Sequence, residues 1–521
     1  MADSNPEQMM AKVDLVKRRR AEIEHMGGEA RVEAQHKAGR LTARERLEFF
    51  FDPGTFVEID AFARCTGRDF GMDKVNPAAD GVITGYGQVS GRTVAAFAQD
   101  FTCIGGTMGE MHGKKIAKIT EMAGDWGVPC IGFHESGGAR LQEFLAVSRE
   151  YGNLFYLNSI YSGVIPQISA MCGVVAGGQT YSPGLTDFVF MTRNGAAFIA
   201  GPALVQAMVG EEISVDDLGG TKLHSTVSGV CHVVAEDDRD CIEKIKDLLS
   251  YLPSNNREKP PRIKSDDSPD RTNEKLYQIV PTSSTTPYDM HKVIYEIVDG
   301  GRFFEIHKDY ARNMVIGLAR FDGQSVGIVA NNPSVQAGTI TTKAAEKAAR
   351  FIRFCDAFNI PIVYLVATPA YLIGSEMERE GMIFRGATLL YATSEATVPQ
   401  ITVNIGLAYA GAFIAMGSKY LKSDVVYAWP TAEIGLVAAE GVVNVVFRKE
   451  IAQVEDQAAE RKKREEEFRS TFMDIMYPAS YQHVDDIIDP KDTRRRIVQS
   501  LKALEKKKVE LPWKKHGNSP L

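Results

Sequence analysis

Short apolar runs rich in Val, Ile and Ala alternate with amphipathic helical patterns and glycine turns over two long regions of the chain. The first region covers about residues 80–238 and the second about residues 288–450. Within the first, residues 94–98 and 130–133 have the apolar character of buried strands, and residues 114–126 between them have the period of a helix. Because strands that alternate with helices form largely parallel sheets, the pattern predicts an α/β fold.

Between the two regions lies a segment of different composition. Residues 253–287 are rich in Pro, Ser, Asn and charged side chains, which is typical of a linker. The sequence therefore predicts an N-terminal domain over residues 1–252, this linker, and a C-terminal domain over residues 288–521.

Two flanking segments have a charged, helical pattern. Residues 7–50 look helical, and Thr42 followed by Glu45 has the spacing of a capping box. Residues 455–470 form a dense run of both charge signs, which predicts a solvated helix.

The two α/β regions also repeat each other. The stretches that begin at Val82 and at Val315 run together after a one-residue slip near the start. From there, turn glycines, strand residues and a strand-opening proline match at an offset of 232 residues: Gly91 with Gly323, Val94 with Val326, Ala98 with Ala330, Gly106 with Gly338, Lys115 with Lys347, and Pro129 with Pro361. Residues 164–178 and 397–411 match at an offset of 233. The chain thus contains two copies of one fold. The repeat alone fits either an old duplication or two half-sites that face each other.

Composition narrows the class of protein. Of the 521 residues, 44% are hydrophobic and 24% charged, as in ordinary globular proteins. A net charge of −7 argues against nucleic acid as a partner. The seven cysteines form no C-x-x-C pair, which suits reduced thiols and argues against a zinc ribbon. With neither a signal peptide nor a long apolar run, we expect a cytoplasmic enzyme without membrane insertion.

Four loops rich in small residues carry the candidate chemistry. Residues 134–140 and 175–179 follow strands in the first copy, and residues 368–371 and 409–413 are their counterparts in the second. Small residues where a strand meets a helix let backbone N–H groups approach a ligand, and the helix start adds partial positive charge. Two converging N–H groups form an oxyanion hole, which stabilises the enolate of a thioester.

Side-chain catalysis has little support in the sequence. Ser136 lies in E-S-G-G rather than in a nucleophile elbow and is interpreted as a helix cap. Glu135 and Glu143 are expected to form ion pairs with Arg140 or with a neighbouring helix. Structural roles are expected for three histidines: His134, His224 and His232. Because no metal-binding motif appears either, we expect no metal and a site that works through backbone electrostatics.

The chain resembles the carboxyltransferase β subunit of biotin-dependent acyl-CoA carboxylases, of the propionyl-CoA carboxylase type. The resemblance covers nearly the whole chain and is carried by seven segments in order: GRLTARERLEFFFDPGTFVE (39–58), SGGARLQE (136–143), AGGQTYSPGLTDFVFM (176–191), DDLGGTKLHSTVSGVCH (216–232), GATLLYATSEATVPQIT (386–402), YAWPTAEI (427–434) and KKHGNSPL (514–521). It implies two tandem crotonase-like ββα-spiral domains. It also implies a hexamer, a trimer of dimers in which each site lies between domains of different subunits.

The resemblance further implies a reaction and its partners. Carboxybiotin, on a separate carrier protein associated with a biotin carboxylase, would lose CO2. The biotin enolate would then remove the α-proton of an acyl-CoA, and the resulting carbanion would take up the CO2. By motif match the site residues fall into three groups: Gly177, Gly178, Gly411 and Ala412 as catalytic oxyanion holes; Gly137, Gly138, Ala139 and Ile414 on the substrate; and Ala370 and Tyr371 on biotin. Coenzyme A is part of the substrate.

The sequence departs from this family at several points. Ala370 and Ala410 stand where the family has glycine, Ile414 stands near the acyl pocket where an acidic residue is common, and the basic pair that often precedes residue 408 is missing. Two alternatives therefore stay open: a biotin-dependent acyl-CoA decarboxylase that runs the same transfer backwards, and a non-catalytic structural subunit.

Overall fold

The computed structural model describes residues 5–75, 77–284 and 286–518. The last three residues of the segment 514–521 lie outside the described residues. The chain divides into two compact units, Met1–Glu258 (unit 1) and Lys259–Leu521 (unit 2). The boundary lies within residues 253–287, and the part of that segment from Lys259 onward is packed in unit 2.

Unit 1 contains one eight-stranded sheet among its described residues. The strands are β1 Val57–Ile59, β2 Val82–Val89, β3 Arg92–Gln99, β4 Cys130–Ser136, β5 Gln167–Ala176, β6 Phe188–Thr192, β7 Ala196–Phe198 and β8 Val233–Ala235. Their order is β1-β2-β3-β4-β5-β6-β8, and β7 pairs with β5. The first three strands form an antiparallel meander and the rest pair in parallel.

Helices of the same unit surround this sheet. They are α1 Pro6–Glu24, α2 Glu29–Lys37, α3 Ala43–Phe50, α4 Glu110–Trp126, α5 Leu145–Ile160, α6 Tyr181–Leu185, α7 Pro202–Val209, α8 Val215–Gly219, α9 Thr221–Leu223 and α10 Asp238–Tyr251. The predicted capping box is confirmed, because the Thr42 side chain accepts from the Glu45 N–H and the Glu45 side chain accepts from the Thr42 N–H. Helix α4 packs its apolar stripe, which includes Ile116 and Ile119, into the core.

Unit 2 repeats this arrangement. Its strands are β9 Phe303–Ile306, β10 Met314–Phe321, β11 Gln324–Asn331, β12 Ile362–Thr368, β13 Gln400–Tyr409, β14 Val425–Ala428, β15 Glu433–Gly435 and β16 Asp486–Ile487. The order is β16-β14-β13-β12-β11-β10-β9, and β15 pairs with β13. The helices are α11 Leu276–Ile279, α12 Met290–Ile297, α13 Thr342–Ala357, α14 Ser375–Arg379, α15 Met382–Glu395, α16 Ala410–Ala415, α17 Ala439–Val446, α18 Arg448–Ile451, α19 Gln457–Phe472, α20 Met476–Ser480 and α21 Thr493–Ala503.

The strand register matches between the two units. Ala95 pairs with Cys130 in unit 1, and Gly327 pairs with Ile362 in unit 2, each residue shifted by 232. Both sheets also shift register at the same place, after His134 in β4 and after Val366 in β12. The internal repeat predicted from the sequence is therefore confirmed down to the register of the ladders. Among the described helices, none is long and apolar enough to cross a membrane.

A buried ionic cluster holds the end of strand β4. The Glu135 carboxylate accepts from Arg46 Nη2 at 2.6 Å, from Arg40 Nη1 at 2.9 Å and from Gln35 Nε2 at 2.7 Å. Arg46 also donates from Nε to Asp238 at 2.8 Å, and its side chain is fully buried. The expected ion pair of Glu135 with a neighbouring helix is confirmed. The cluster ties strand β4 to helices α2, α3 and α10.

Two lysines at equivalent positions of the repeat donate to backbone carbonyls. Lys115 Nζ donates to Ala79 O and Val82 O, and Lys347 Nζ donates to His307 O, Tyr310 O and Ala311 O. Both side chains are buried, which lowers the pKa of Lys115 to about 8 and that of Lys347 to about 7. Each lysine thus fixes the turn that precedes the first long hairpin of its unit.

Replacing Lys347 with Met should lower the free energy of unfolding by about 1–3 kcal/mol, because three buried carbonyls lose their donor. The substitution should also make the free energy of unfolding depend less on pH. Since the folded-state pKa of Lys347 lies below the ordinary value of 10.5, the unfolded chain binds more protons between about pH 7 and 10.5, and wild-type stability rises over that window. Urea unfolding at pH 7 and 9.5 measures both effects. Lys343→Met, at an exposed position of the same helix, is the control.

Candidate active site

Strand β5 ends at a turn whose first N–H groups are free for a ligand. Residues Gly177–Thr180 form a 3₁₀ turn directly after Ala176. The N–H groups of Gly177 and Gly178 are the first of this turn and have no acceptor within it. Gly177 has φ +66°, a left-handed conformation that glycine adopts without strain. The geometry is that expected for one of the two predicted oxyanion holes.

The loop after strand β4 lies against this turn. A Cβ at position 138 would stand 3.0 Å from Ala176 O, and one at position 177 would stand 4.0 Å from the Gly138 Cα. The loop is held in place by Met108 N donating to Gly138 O at 2.9 Å and by Gly137 N donating to Gly105 O at 2.9 Å. Unit 1 therefore brings together the predicted residues 137–139 and 177–178.

Two expectations about this loop are wrong. Ser136 is not a helix cap: it ends strand β4, where its Oγ donates to Gly106 O at 2.7 Å and accepts from Gly138 N at 3.1 Å. The loop does not open a helix either, because a 3₁₀ turn intervenes and α5 begins only at Leu145. The residue between them, Phe144, has φ +44°, and this bend redirects the chain into α5.

Arg140 anchors the loop on its far side. Its buried guanidinium donates to Asp80, to Glu143 Oε1 at 2.8 Å and to Thr107 O at 2.9 Å, which confirms the predicted Arg140–Glu143 pair. Cys65, Asp80 and Glu143 place their ligand atoms within 4.8 Å of one another, a spacing that would suit a metal ion. Arg140 Nη1 contacts all three, however, so the positive charge at this cluster is the guanidinium's own.

Tyr151 is a residue of the site that the sequence reasoning missed. Its ring lies beneath Gly178, where a Cβ would stand 3.2 Å from the ring. Burial raises the pKa of Tyr151, and its buried Oη has no hydrogen-bond partner among the described residues. The only signal in the sequence is an aromatic residue on the inner face of α5, which looks like ordinary core. Position 178 must therefore stay small for packing as well as for ligand approach.

Unit 2 has an equivalent turn at the start of α16. The N–H groups of Ala410, Gly411 and Ala412 are the first of that helix and have no acceptor within it. The loop after β12 covers them from one side, since a Cβ at position 411 would stand 3.7 Å from the Tyr371 ring. Tyr371 Oη donates to Gly386 O at 3.1 Å, and Ala370 O accepts from Ile340 N at 3.0 Å.

Ile414 and two of the histidines named in the sequence analysis have well-defined burial and contacts. Ile414 lies half-buried on α16, one turn after Gly411. His134 is buried in β4 with Nε2 3.2 Å from Ser169 Oγ, and burial lowers its pKa to about 3, so it is neutral. His224 contacts Ala197 O and Ser228 Oγ, both at 2.8 Å. These contacts suit the structural roles expected for the histidines.

Ala410 has φ +53°, the conformation that Gly177 has at the equivalent position. An alanine in the left-handed conformation costs about 1–2 kcal/mol. Replacing it with glycine removes this strain, but glycine also raises the conformational entropy of the unfolded chain, which offsets part of the gain. Ala410→Gly should therefore raise the free energy of unfolding of unit 2 by about 0.5 kcal/mol. The reciprocal Gly177→Ala, which meets no atom closer than 3.9 Å, should lower stability by about 1–2 kcal/mol. Thermal midpoints of both variants measure this, and equal midpoints would contradict it.

Comparison with known proteins identifies the family. The carboxyl transferase domain matches residues 34–519. The chain is 47% identical to the carboxyltransferase subunit of propionyl-CoA carboxylase from Haloferax mediterranei, over 98% of this chain and all of the relative. It is also 47% identical to the α subunit of methylmalonyl-CoA decarboxylase from Propionigenium modestum, over 98% of this chain and 99% of the relative.

A solved structure extends the likeness to three dimensions. The transcarboxylase 12S hexamer, with methylmalonyl-CoA and methylmalonic acid bound, superimposes with a TM-score of 0.96 at 45% identity and covers 98% of each chain. The matches confirm the resemblance that the sequence motifs carry, the predicted pair of crotonase-like domains and the predicted class of enzyme. The chain belongs to the carboxyl transferase domain family.

Proposed function

We propose that this chain is the carboxyltransferase subunit of a biotin-dependent acyl-CoA carboxylase. The observation that carries the proposal is the repeated turn: each unit presents free N–H groups at the same point of the same fold, Gly177–Gly178 in one and Ala410–Ala412 in the other. A transfer between two carbonyl-type partners needs two such holes, one for each developing oxyanion.

The acyl-CoA side belongs to unit 1 in this proposal. The N–H groups of Gly177 and Gly178 would hold the thioester oxygen while the α-carbon gives up its proton to the biotin that has released CO2. Residues 137–139 would line the same site. Because these donors are fixed by strand β5 and by the Arg140 anchor, they need no reorganisation as charge develops. Each donor pair is expected to contribute about 10²–10³ in rate.

The biotin side belongs to unit 2. The donor set there fits a neutral ureido oxygen, because Gly411 is exposed and the groups offered are uncharged N–H donors. Carboxylated biotin, delivered on a separate carrier protein, would supply the carboxyl group. The N–H groups of Gly411 and Ala412 would hold its ureido oxygen, and Ala370 and Tyr371 would border it. Ile414 stays a prediction for the substrate side.

We propose a homo-hexamer, the assembly of the transcarboxylase 12S structure, because exposed apolar surface of this chain needs covering. Large apolar side chains that are 70% or more exposed follow the loop after β4, namely Leu141, Phe144 and Leu145, and the loop after β12, namely Ile373 and Ile383. A cytoplasmic location stays a prediction from the sequence.

The direction of the reaction separates this proposal from its alternative. Decarboxylase subunits match as closely as carboxylase subunits do, so reverse transfer in a biotin-dependent decarboxylase is the second candidate. We expect the chain to co-purify with a biotinylated partner and to fix labelled bicarbonate onto an acyl-CoA with ATP. ATP-independent CO2 release from methylmalonyl-CoA would establish the decarboxylase instead. A stable complex with no transfer in either direction would indicate a structural subunit.

A further inference from the structure

A cavity of about 270 Å³ lies in unit 2 behind the loop that follows strand β12. Most of its wall is apolar, with Val280, Pro281, Pro333, Ala367, Ile405 and Leu407 among the lining residues. It is larger than the roughly 150 Å³ engineered cavity that takes up benzene in lysozyme, so it has room for a small organic molecule. Neither the carboxyl-transfer chemistry nor the family match assigns it a role.

One polar group in this wall has no partner. Tyr288 lines the cavity, and its Oη is buried without a hydrogen-bond partner among the described residues. The hydroxyl stands 3.3 Å from where a Cβ at position 406 would be, so it lies beside Gly406 on strand β13. A buried phenol that donates to nothing is costly, and such groups commonly mark a ligand or functional site.

The equivalent place in unit 1 is filled. There Gly173 matches Gly406, and a Cβ at position 173 would stand 2.6 Å from Glu135 Oε1. Glu135 matches Ala367, and its carboxylate is held by arginines from the segment around helix α3. In unit 2 the corresponding segment, before helix α12, contributes Pro287 and Tyr288 instead. Where unit 1 has an ionic cluster, the second copy thus has open, mostly apolar space with the Tyr288 hydroxyl beside Gly406.

These features define the chemistry of an occupant. The described lining contains no cationic side chain, so nothing in it favours an anion over a neutral molecule. The wall also carries the hydroxyls of Ser283, Ser284, Thr286 and Thr431, but the buried donor without a partner is Tyr288 Oη. A mostly apolar wall with such a donor suits an uncharged molecule that offers an acceptor. We propose that this cavity binds a neutral, mostly apolar small molecule whose carbonyl oxygen accepts the hydrogen bond from Tyr288 Oη.

The site would communicate with the loop beside it. Ala367 and Pro369 both line the cavity and flank Thr368, from which the chain continues to Ala370 and Tyr371. A ligand there would restrain the loop that covers the N–H groups of α16. Binding itself does not depend on carboxyl transfer, so its test can fail or succeed whether or not the proposed function holds.

Acetophenone is a suitable probe, and α-methylstyrene has the same shape without the acceptor. In ligand-observed NMR titrations of the full-length protein, we expect saturable binding of acetophenone, at least fivefold weaker to Tyr288→Phe. The affinity for α-methylstyrene should be the same for both proteins. Gly406→Leu, which fills the cavity, should abolish the binding of both compounds. Tyr277→Phe is the control, because Tyr277 Oη already donates to Asp489 at 2.7 Å.

Two results would overturn the proposal: no saturable acetophenone binding to the wild-type protein, or equal affinity for the wild type, Tyr288→Phe and Gly406→Leu. Tyr288→Phe removes an oxygen that has no partner among the described residues, so its thermal midpoint should equal or exceed that of the wild type. This midpoint separates a lost ligand contact from a damaged fold. If Gly406→Leu unfolds, the comparison of the two probes on Tyr288→Phe still decides the question.

Discussion

Gly178→Val and Gly411→Val should each reduce carboxyl transfer by at least 10²–10³ while leaving the oligomer intact. At position 178 even a Cβ atom would stand only 3.2 Å from the Tyr151 ring. A branched side chain must therefore displace either the ring or the turn that presents the N–H groups. At position 411 a Cβ atom would stand 3.7 Å from the Tyr371 ring, and the residue is exposed. Valine therefore fits there, but its side chain projects over the N–H donors. The two losses would thus differ in cause.

That difference can be measured. Gly411→Val should retain the wild-type thermal midpoint, whereas Gly178→Val should lower it, and both should elute as the same oligomer in size-exclusion chromatography. Gly184→Val is the matched control, because a Cβ there meets nothing within 4 Å. Steady-state transfer assays with the biotinylated partner give the rates. Near-normal activity in both variants would rule out the two-hole model.

The repeat made much of this site predictable. Matched glycines and prolines located both turns, and the register of the two sheets follows the same offsets. What the repeat could not convey is how each copy fills the space behind its turn. Tyr151 supports Gly178 from helix α5, whereas Tyr371, in the loop itself, covers Gly411. Packing partners of this kind are set by tertiary contacts and leave no spacing in the sequence.

The loop after β4 shows where local reasoning was wrong. E-S-G-G followed by a helical pattern suggests a serine cap, yet Ser136 belongs to the strand and bonds within the loop. The competing demand comes from Arg140, whose guanidinium must reach Asp80, 60 residues earlier in the chain. We infer that this buried ion pair between residues far apart in the chain outweighs the local preference for a serine cap. Helix α5 accordingly begins only at Leu145.

Arg46→Met should strongly destabilise unit 1, lowering the free energy of unfolding by about 3–5 kcal/mol. The substitution leaves Glu135, with no exposed side-chain surface, without its shortest ion pair, and Asp238 without its guanidinium. Arg44→Met is the matched control on the same helix: Arg44 keeps 19% of its side chain exposed and pairs with Glu58, so the loss should be smaller, about 1.5–3 kcal/mol. Chemical denaturation of both variants provides the comparison.

A second substitution tests whether the loss comes from an uncompensated charge. Arg46→Met combined with Glu135→Gln should be less destabilised than the sum of the two single variants, because glutamine removes the charge that Arg46 neutralises. Since Glu135 lies near the end of strand β4, just before the loop of residues 137–140, the single variant should also weaken acyl-CoA binding, and the double variant should restore part of it. Strict additivity, or an Arg46→Met loss no larger than that of Arg44→Met, would mean that packing rather than charge holds strand β4 in place.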